Sequence, residues 1–145
     1  MCIRDSPDLV IRYVGSVGYG FYGRADQIEQ PPRDRVYLGF EGTAAARPQG
    51  QWLRKKISAD GGRIGLLSND IATLVAASSA GVGIAMLPRF YASKISGLIE
   101  LPDTDLFPAQ PLYLVMHADI RLSPRVRLVA DQLYDDLRKS LSRLG

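Results

Sequence analysis

The run NDIATLVAASSAGVGIAMLP, Asn69 to Pro88, narrows the possible folds of this chain more than any other stretch. Ile71, Leu74, Val75 and Ser78 recur at the three- and four-residue spacing of one helix face. Ser68 or Asn69 is placed to cap that helix. Gly81 stands where a helix ends in a left-handed residue, and GIAMLP follows as an apolar strand stopped by Pro88. The glycines also raise a nucleotide-binding reading, which the order of elements opposes. A dinucleotide fingerprint needs Gly-x-Gly-x-x-Gly after a strand and at the opening of a helix. Here Met86 occupies the third glycine's place and the helix precedes the strand. The positive end of the helix lies back at Ser68–Asp70, so the glycines turn the chain and hold no phosphate.

The same alternation runs through the rest of the chain. DLVIRYVG (Asp8–Gly15), GYGFYGR (Gly18–Arg24) and RVYLGF (Arg35–Phe40) are rich in the β-branched and aromatic residues of strands. ADQIEQPP reads as a short helix closed by Pro31 and Pro32, EGTAAARPQG as a loop, and QWLRKKI as a helix with Trp52 as a packed anchor. GRIGLLS (Gly62–Ser68) reads as a buried strand. RFYASKI is a short helix, GLIEL a strand, PDTDLFPAQ a loop and PLYLVMHADI a strong strand. Ser123 and Pro124 then open a last helix with the apolar stripe Val126, Val129, Ala130, Leu133, Leu137 and Leu141. Strands alternating with helices predict an α/β fold with parallel pairings.

Several chemistries are excluded or disfavoured. Cys2 is the only cysteine and His117 the only histidine, so an intrachain disulfide and a Cys/His metal centre are ruled out. That cysteine usage suits a reducing, cytoplasmic compartment. His117 reads as a hydrogen-bonded structural imidazole. Asp70 and Glu41 are the carboxylates that could pair as acid and base, but a carboxylate at a helix start is ordinarily a cap. No nucleophile elbow, phosphate-binding lysine loop or zinc-protease motif occurs, so an enzyme is not expected. The net charge of +3 with scattered arginines reads as a solvated surface. No apolar run reaches the ~18 residues of a membrane span. The start MCIRDSPD lacks a basic segment followed by an apolar one, so it is no signal peptide. Its polar run directly against LVIRYVG reads residues 1–7 as a scar or a broken reading frame ahead of a fragment.

Taken together, NDIATLVAASSAGVGIAMLPRFYA and PLYLVMHADIRLSPRVRLVADQLYDDL resemble the effector-binding domain of LysR-type transcriptional regulators. DLVIRYVGSVGYGFYGRADQI and YLGFEG are similar to it as well, so the resemblance runs from Asp8 to the C-terminus. It implies a periplasmic-binding-protein-like (type II) fold, two α/β lobes about a cleft. It implies that Val17–Gly20 is the outward crossing and Leu106–Pro111 the return, with residues 20–105 forming a complete lobe two and residues 8–19 and 106–145 part of lobe one. The family's winged helix-turn-helix has no counterpart here, so DNA would be met only through a domain outside this chain.

The resemblance further implies a small-molecule effector in the interlobe cleft, a homo-oligomer in the full-length protein, and neither cofactor, metal nor membrane as partner. The implied ligand positions are Glu41, Gly42 and Thr43 after RVYLGF, and Ser68 and Asn69 before the long helix. Backbone N–H groups and a helix start there favour a small organic acid, although the Glu41 charge opposes one. Binding would act by biasing lobe closure. The alternative is a solute-binding protein of a transport system with the same fold, against which the absent signal peptide argues. With lobe one partial, LVIRYV and PLYLVM would present unpaired edges, and the chain made alone is expected to self-associate.

Overall fold

The computed structural model describes residues 7–102 and 107–143. Cys2 and most of the leader lie outside the described residues, as do residues 103–106 at the expected return between lobes. In chain order the elements are β1 (Leu9–Val17), β2 (Tyr19–Gly23), α1 (Ala25–Ile28), β3 (Val36–Gly39), α2 (Gly42–Ala45), α3 (Pro48–Asp60), β4 (Arg63–Leu67), α4 (Ile71–Ser79), β5 (Ala85–Pro88), α5 (Arg89–Ala92), β6 (Ile99–Glu100), β7 (Gln110–His117) and α6 (Pro124–Ser142). They divide into two compact units, Gly18–Pro108 and Met1–Val17 with Ala109–Gly145.

In the larger unit, β2 lies between β5 and β6 and pairs antiparallel with both. β3 and β4 pair in parallel, and a parallel bridge from Tyr37 to Ile84 joins β3 to the β5 side. The amide of Leu38 donates to the carbonyl of Ile84, and that of Ile84 to Val36, each at 2.8 Å. Successive residues of these strands face opposite sides, which sorts the core into two layers. Phe21, Tyr37, Ile84 and Met86 pack with Leu53 and Ile57 of α3. Tyr22, Leu38, Ala85 and Leu87 pack with Leu74 of α4 and Ala92 of α5. Trp52 meets Phe107 edge-on with ring centroids 5.7 Å apart, the expected packed anchor.

The helix-to-strand turn in the opening run is a Schellman closure. Gly81 has φ of 81°, its amide donates to the Ser78 carbonyl at 3.1 Å, and that of Val82 reaches Ala77 at 3.0 Å. Gly83 is needed for a different reason: a Cβ there would lie 2.8 Å from the carbonyl oxygen of Val36. Both glycines serve the backbone.

Four expectations need correction. Among the described residues parallel pairing is confined to β3–β4 and its bridge, because the other strands return beside one another in antiparallel pairs. GRIGLLS is not buried: β4 is exposed throughout, with Ile64, Leu66 and Leu67 open to solvent, since it is an edge strand paired only with β3. EGTAAARPQG is not a plain loop, because Gly42–Ala45 makes a helical turn and Pro48 starts α3 earlier than QWLRKKI. The cap of α4 is Asp70, not Ser68 or Asn69, and its carboxylate accepts from the Thr73 amide at 3.0 Å and the Thr73 hydroxyl at 2.7 Å.

The smaller unit pairs β1 antiparallel with β7 through a bulge between Tyr13 and Gly15, with α6 against β1. Gly15 permits that approach, since a Cβ would sit 3.0 Å from Leu141. Ser123 and Pro124 do open α6, although the serine side chain makes no capping hydrogen bond. Only Ala130 of the α6 stripe is buried, whereas Val129 and Leu133 face solvent.

Candidate functional site

Tyr19 at the start of β2 pairs with Pro88 at the end of β5, and this end of the sheet is also where parallel strands β3 and β4 finish. Ligands of open α/β sheets bind outside the carboxyl ends of such strands. A pocket of about 180 Å³ lies there within the larger unit. Phe40, Ile71, Leu74 and Met86 supply apolar wall, while Asn69 and Gln49 supply amides. Arg47 is the one charged side chain among the described residues lining it.

Local structure fixes Arg47. Pro48 at the first position of α3 makes Arg47 its N-cap residue. The guanidinium of Arg54 donates to the Ala45 carbonyl at 2.6 Å and the Gln51 amide to Ala46 at 2.7 Å, tying α2 to the first turns of α3. Gly50 lets the two meet, since a Cβ there would stand 2.7 Å from the Ala45 carbonyl carbon.

Of the five residues expected from sequence, Asn69 lines the pocket, and Glu41, Gly42, Thr43 and Ser68 do not. Glu41 and Asn69 are nevertheless brought together. The Glu41 amide donates to Asn69 Oδ1 at 2.8 Å and Asn69 Nδ2 donates to the Glu41 carbonyl at 3.2 Å, a two-bond clasp between the β3–α2 and β4–α4 connections. Ser68 belongs to the same corner: its amide donates to Gly39 at 3.0 Å and its hydroxyl accepts from the Asp70 amide at 3.1 Å. Gly42 adopts φ of 50° with open space around it, and Thr43 is exposed. Asp70 is a cap, as its position suggested, and the Thr73 hydroxyl and amide hold its carboxyl below the ordinary aspartate range. His117 is the hydrogen-bonded imidazole expected, with Nδ1 accepting from the Asp119 amide at 3.3 Å.

Sequence reasoning missed Arg47, Gln49, Tyr19 and Phe40. The available signal was Arg47-Pro48: a proline suited to a first helical turn places its neighbours at that turn. At the other end of β3, Asp60 accepts from Tyr37 Oη and from Arg35 at 3.1 Å, with Lys56 3.4 Å away. Burial would raise the Asp60 carboxyl, but the Tyr37 and Arg35 hydrogen bonds and the Lys56 charge outweigh it and hold the carboxyl below its usual range. Burial, then the bond to Asp60, pushes the Tyr37 hydroxyl well above the ordinary tyrosine value. This cluster fastens α3 to β3. Among the described residues no group of three or more His, Cys, Asp or Glu could hold a metal, and no helix is long and apolar enough to cross a membrane.

Comparison with known proteins places this architecture. The model of the LysR substrate binding domain matches residues 30–138, and the chain belongs to that family. Its α/β fold is the periplasmic-binding-protein-like type II fold, found in effector-binding domains of LysR-type transcriptional regulators. The CrgA regulatory domain of Neisseria meningitidis is similar, with a TM-score of 0.67 at 19% identity, over 92% of this chain and 71% of that one. The CcmR regulatory domain of Synechocystis PCC6803, solved in complex with 2-PG, has a TM-score of 0.61 at 17% identity, over 93% of this chain and 68% of that one. The effector-binding domain of QuiR, solved with shikimate, has a TM-score of 0.52 at 18% identity, over 94% and 66%. No curated protein matches this chain by sequence.

Proposed function

We propose that this chain is a ligand-sensing part of a LysR-type transcriptional regulator, and that the pocket beside Arg47 takes a small organic acid. The reading rests on one observation: among the described residues, Arg47 is the single charged residue lining a pocket whose apolar wall is Phe40, Ile71, Leu74 and Met86. A carboxylate on Arg47 makes a charge-assisted, two-pronged hydrogen bond, Gln49 and Asn69 orient the polar remainder, and the apolar wall receives the body. Glu41 does not line the pocket, which removes the repulsion anticipated from its charge. A volume near 180 Å³ is below the ~300–1,000 Å³ of sites for drug-sized ligands, which suits a compact metabolite. The solved relatives carrying 2-PG and shikimate support a small polar ligand of this kind.

In this reading the unit Gly18–Pro108 is lobe two and the other unit is part of lobe one. The ligand acts without turnover by favouring one lobe arrangement, as a cytoplasmic sensor in a homo-oligomer whose DNA contacts belong to another domain. Glu41, Gly42, Thr43 and Ser68 act through the corner that positions Asn69. The test is a thermal-shift and calorimetric screen of small carboxylic acids, each paired with its neutral amide. Acids should raise the melting temperature and their amides should not, and Arg47→Ala should abolish the difference. Equal binding of acid and amide, or binding indifferent to Arg47, would sink this reading.

A further inference from the structure

The tyrosine hydroxyls of this chain meet opposite electrostatic surroundings. Tyr22 and Tyr37 donate to the carboxylates of Glu100 and Asp60, and burial together with those carboxylates raises both phenols. Tyr134, midway along α6 and half-buried, meets guanidinium groups instead. Arg138, one turn further on, donates from Nη1 to its hydroxyl oxygen at 2.8 Å. Arg12 of β1 lies over the ring with its guanidinium carbon 3.5 Å from the centroid, and Asp131 pairs with Arg12 at 3.0 Å. A hydrogen bond donated to the phenol oxygen favours the phenolate. The Arg138 hydrogen bond, joined by the Arg138 and Arg12 charges, outweighs desolvation and holds this phenol below the ordinary tyrosine value. Asp135 of α6 and Tyr13 of β1 also act on the Arg138 charge.

Arg138 belongs to a second feature as well. An open recess of about 480 Å³ lies between β1 and α6, where Arg138 and Lys139 supply positive charge and Ser16 and Ser142 supply hydroxyls. Among the described residues lining it none is acidic, so the recess suits an anion. We propose that Tyr134 is a covalent modification site, acylated at Oη by acyl phosphates whose phosphate is seated on Arg138 and Lys139. A phenol is a weak nucleophile until its environment favours the ionised form, and Arg138 does this while gripping the donor's phosphate beside it. In the step an Oη lone pair bonds to the acyl carbon, the bond from that carbon to the bridging oxygen breaks, and phosphate leaves with the electron pair. The phenol proton ends on the departing phosphate, so the products are an aryl ester and hydrogen phosphate. Tyr134 belongs to the smaller unit and the Arg47 pocket to the larger, so this site is independent of the effector reading.

The test incubates the whole 145-residue chain with acetyl phosphate at neutral pH and maps the products by peptide mass spectrometry. Tyr134 should gain an acetyl group roughly tenfold faster than Tyr91, which is 42% exposed and outside the cluster, because its donor is held in place. Hydroxylamine should remove the mark, since it cleaves an aryl ester and leaves a lysine amide intact. Arg138→Gln should abolish the preference for Tyr134. Lys139→Gln should slow labelling by acetyl phosphate but not by the uncharged donor N-acetylimidazole, a split that a merely structural role does not produce. Both side chains are exposed, and circular dichroism checks that helix content is unchanged. Acetylation of Tyr134 no faster than that of Tyr91 overturns the proposal. A hydroxylamine-resistant mark on Lys139 alone also overturns it.

Discussion

The two units of this molecule treat their apolar residues differently. In Gly18–Pro108 the central strands are covered on both sides, by α3 on one and by α4 and α5 on the other, and Tyr37, Ile84, Ala85 and Leu87 lose all contact with solvent. In the other unit a single helix lies on two strands, and Leu122, Leu128 and Val129 remain more than half exposed. Helix and strand propensities are satisfied in both. The difference is the number of layers: a strand covered on both faces buries every side chain, whereas a helix with one neighbour buries one stripe. Stability should therefore be concentrated in the larger unit.

Substitution can break that comparison, and the largest effect should come from Leu38→Ala, which opens a cavity in the larger core. We expect a loss of about 2–5 kcal/mol by urea unfolding. Leu128→Ala, equal in chemistry, should change stability by less than ~0.5 kcal/mol, since it sits on an exposed helix face. Equal losses would refute the contrast.

The Asp60 clasp comes next. Its folded carboxyl is depressed, so its contribution is present above the unfolded value near pH 4 and is lost as pH falls through the folded one. Asp60→Asn should cost about 3 kcal/mol at neutral pH, since it removes the carboxylate that Arg35 and Tyr37 bond. The gap between variant and parent should close in acid, which denaturant titrations at stepped pH would follow. Gly50→Ala should cost about 1–3 kcal/mol through its clash with Ala45. It should also weaken binding of carboxylic acids, because the α2–α3 corner holds Arg47; intact acid binding would separate the corner from the pocket.

A smaller effect belongs to Tyr22, whose hydroxyl donates to Glu100 at 3.2 Å and is pushed up to about 12 by burial and then by the Glu100 charge. Its native state favours the protonated form, so the contribution is complete below pH 10 and disappears between roughly 10 and 12. Tyr22→Phe should cost about 1 kcal/mol at neutral pH and flatten that alkaline limb. A small change is also expected in the other unit, where Asp131→Asn breaks an ion pair exposed on both sides and should cost less than ~1 kcal/mol.

Much of the fold was legible where local chemistry decides. Gly81 ends α4 because only a residue tolerant of positive φ closes that turn, and Pro124 starts α6 because its ring suits a first helical turn. Of the face read from the periodicity of Ile71, Leu74, Val75 and Ser78, Leu74 and Ser78 are buried, Val75 is half-buried and Ile71 is exposed. The pocket was less legible. Ser68, Asn69 and Glu41 were recognised as neighbours of a strand-end corner, yet their polar groups largely satisfy one another, and the guanidinium came from Arg47 in a segment read as loop. Whether a polar group meets a ligand or the backbone depends on what another connection brings alongside it.

What the sequence determined by itself is the alternation of strand and helix and the turns between them, since each follows from the conformational limits of a few neighbouring residues. Tertiary structure alone decided that β4 is an exposed edge, that three pairings among the described residues run antiparallel, that Arg47 lines a pocket and that Val129 and Leu133 of the α6 stripe are bare. The apolar side chains of β4 are as hydrophobic as those of β5, and only the presence or absence of a further layer buries one set and exposes the other.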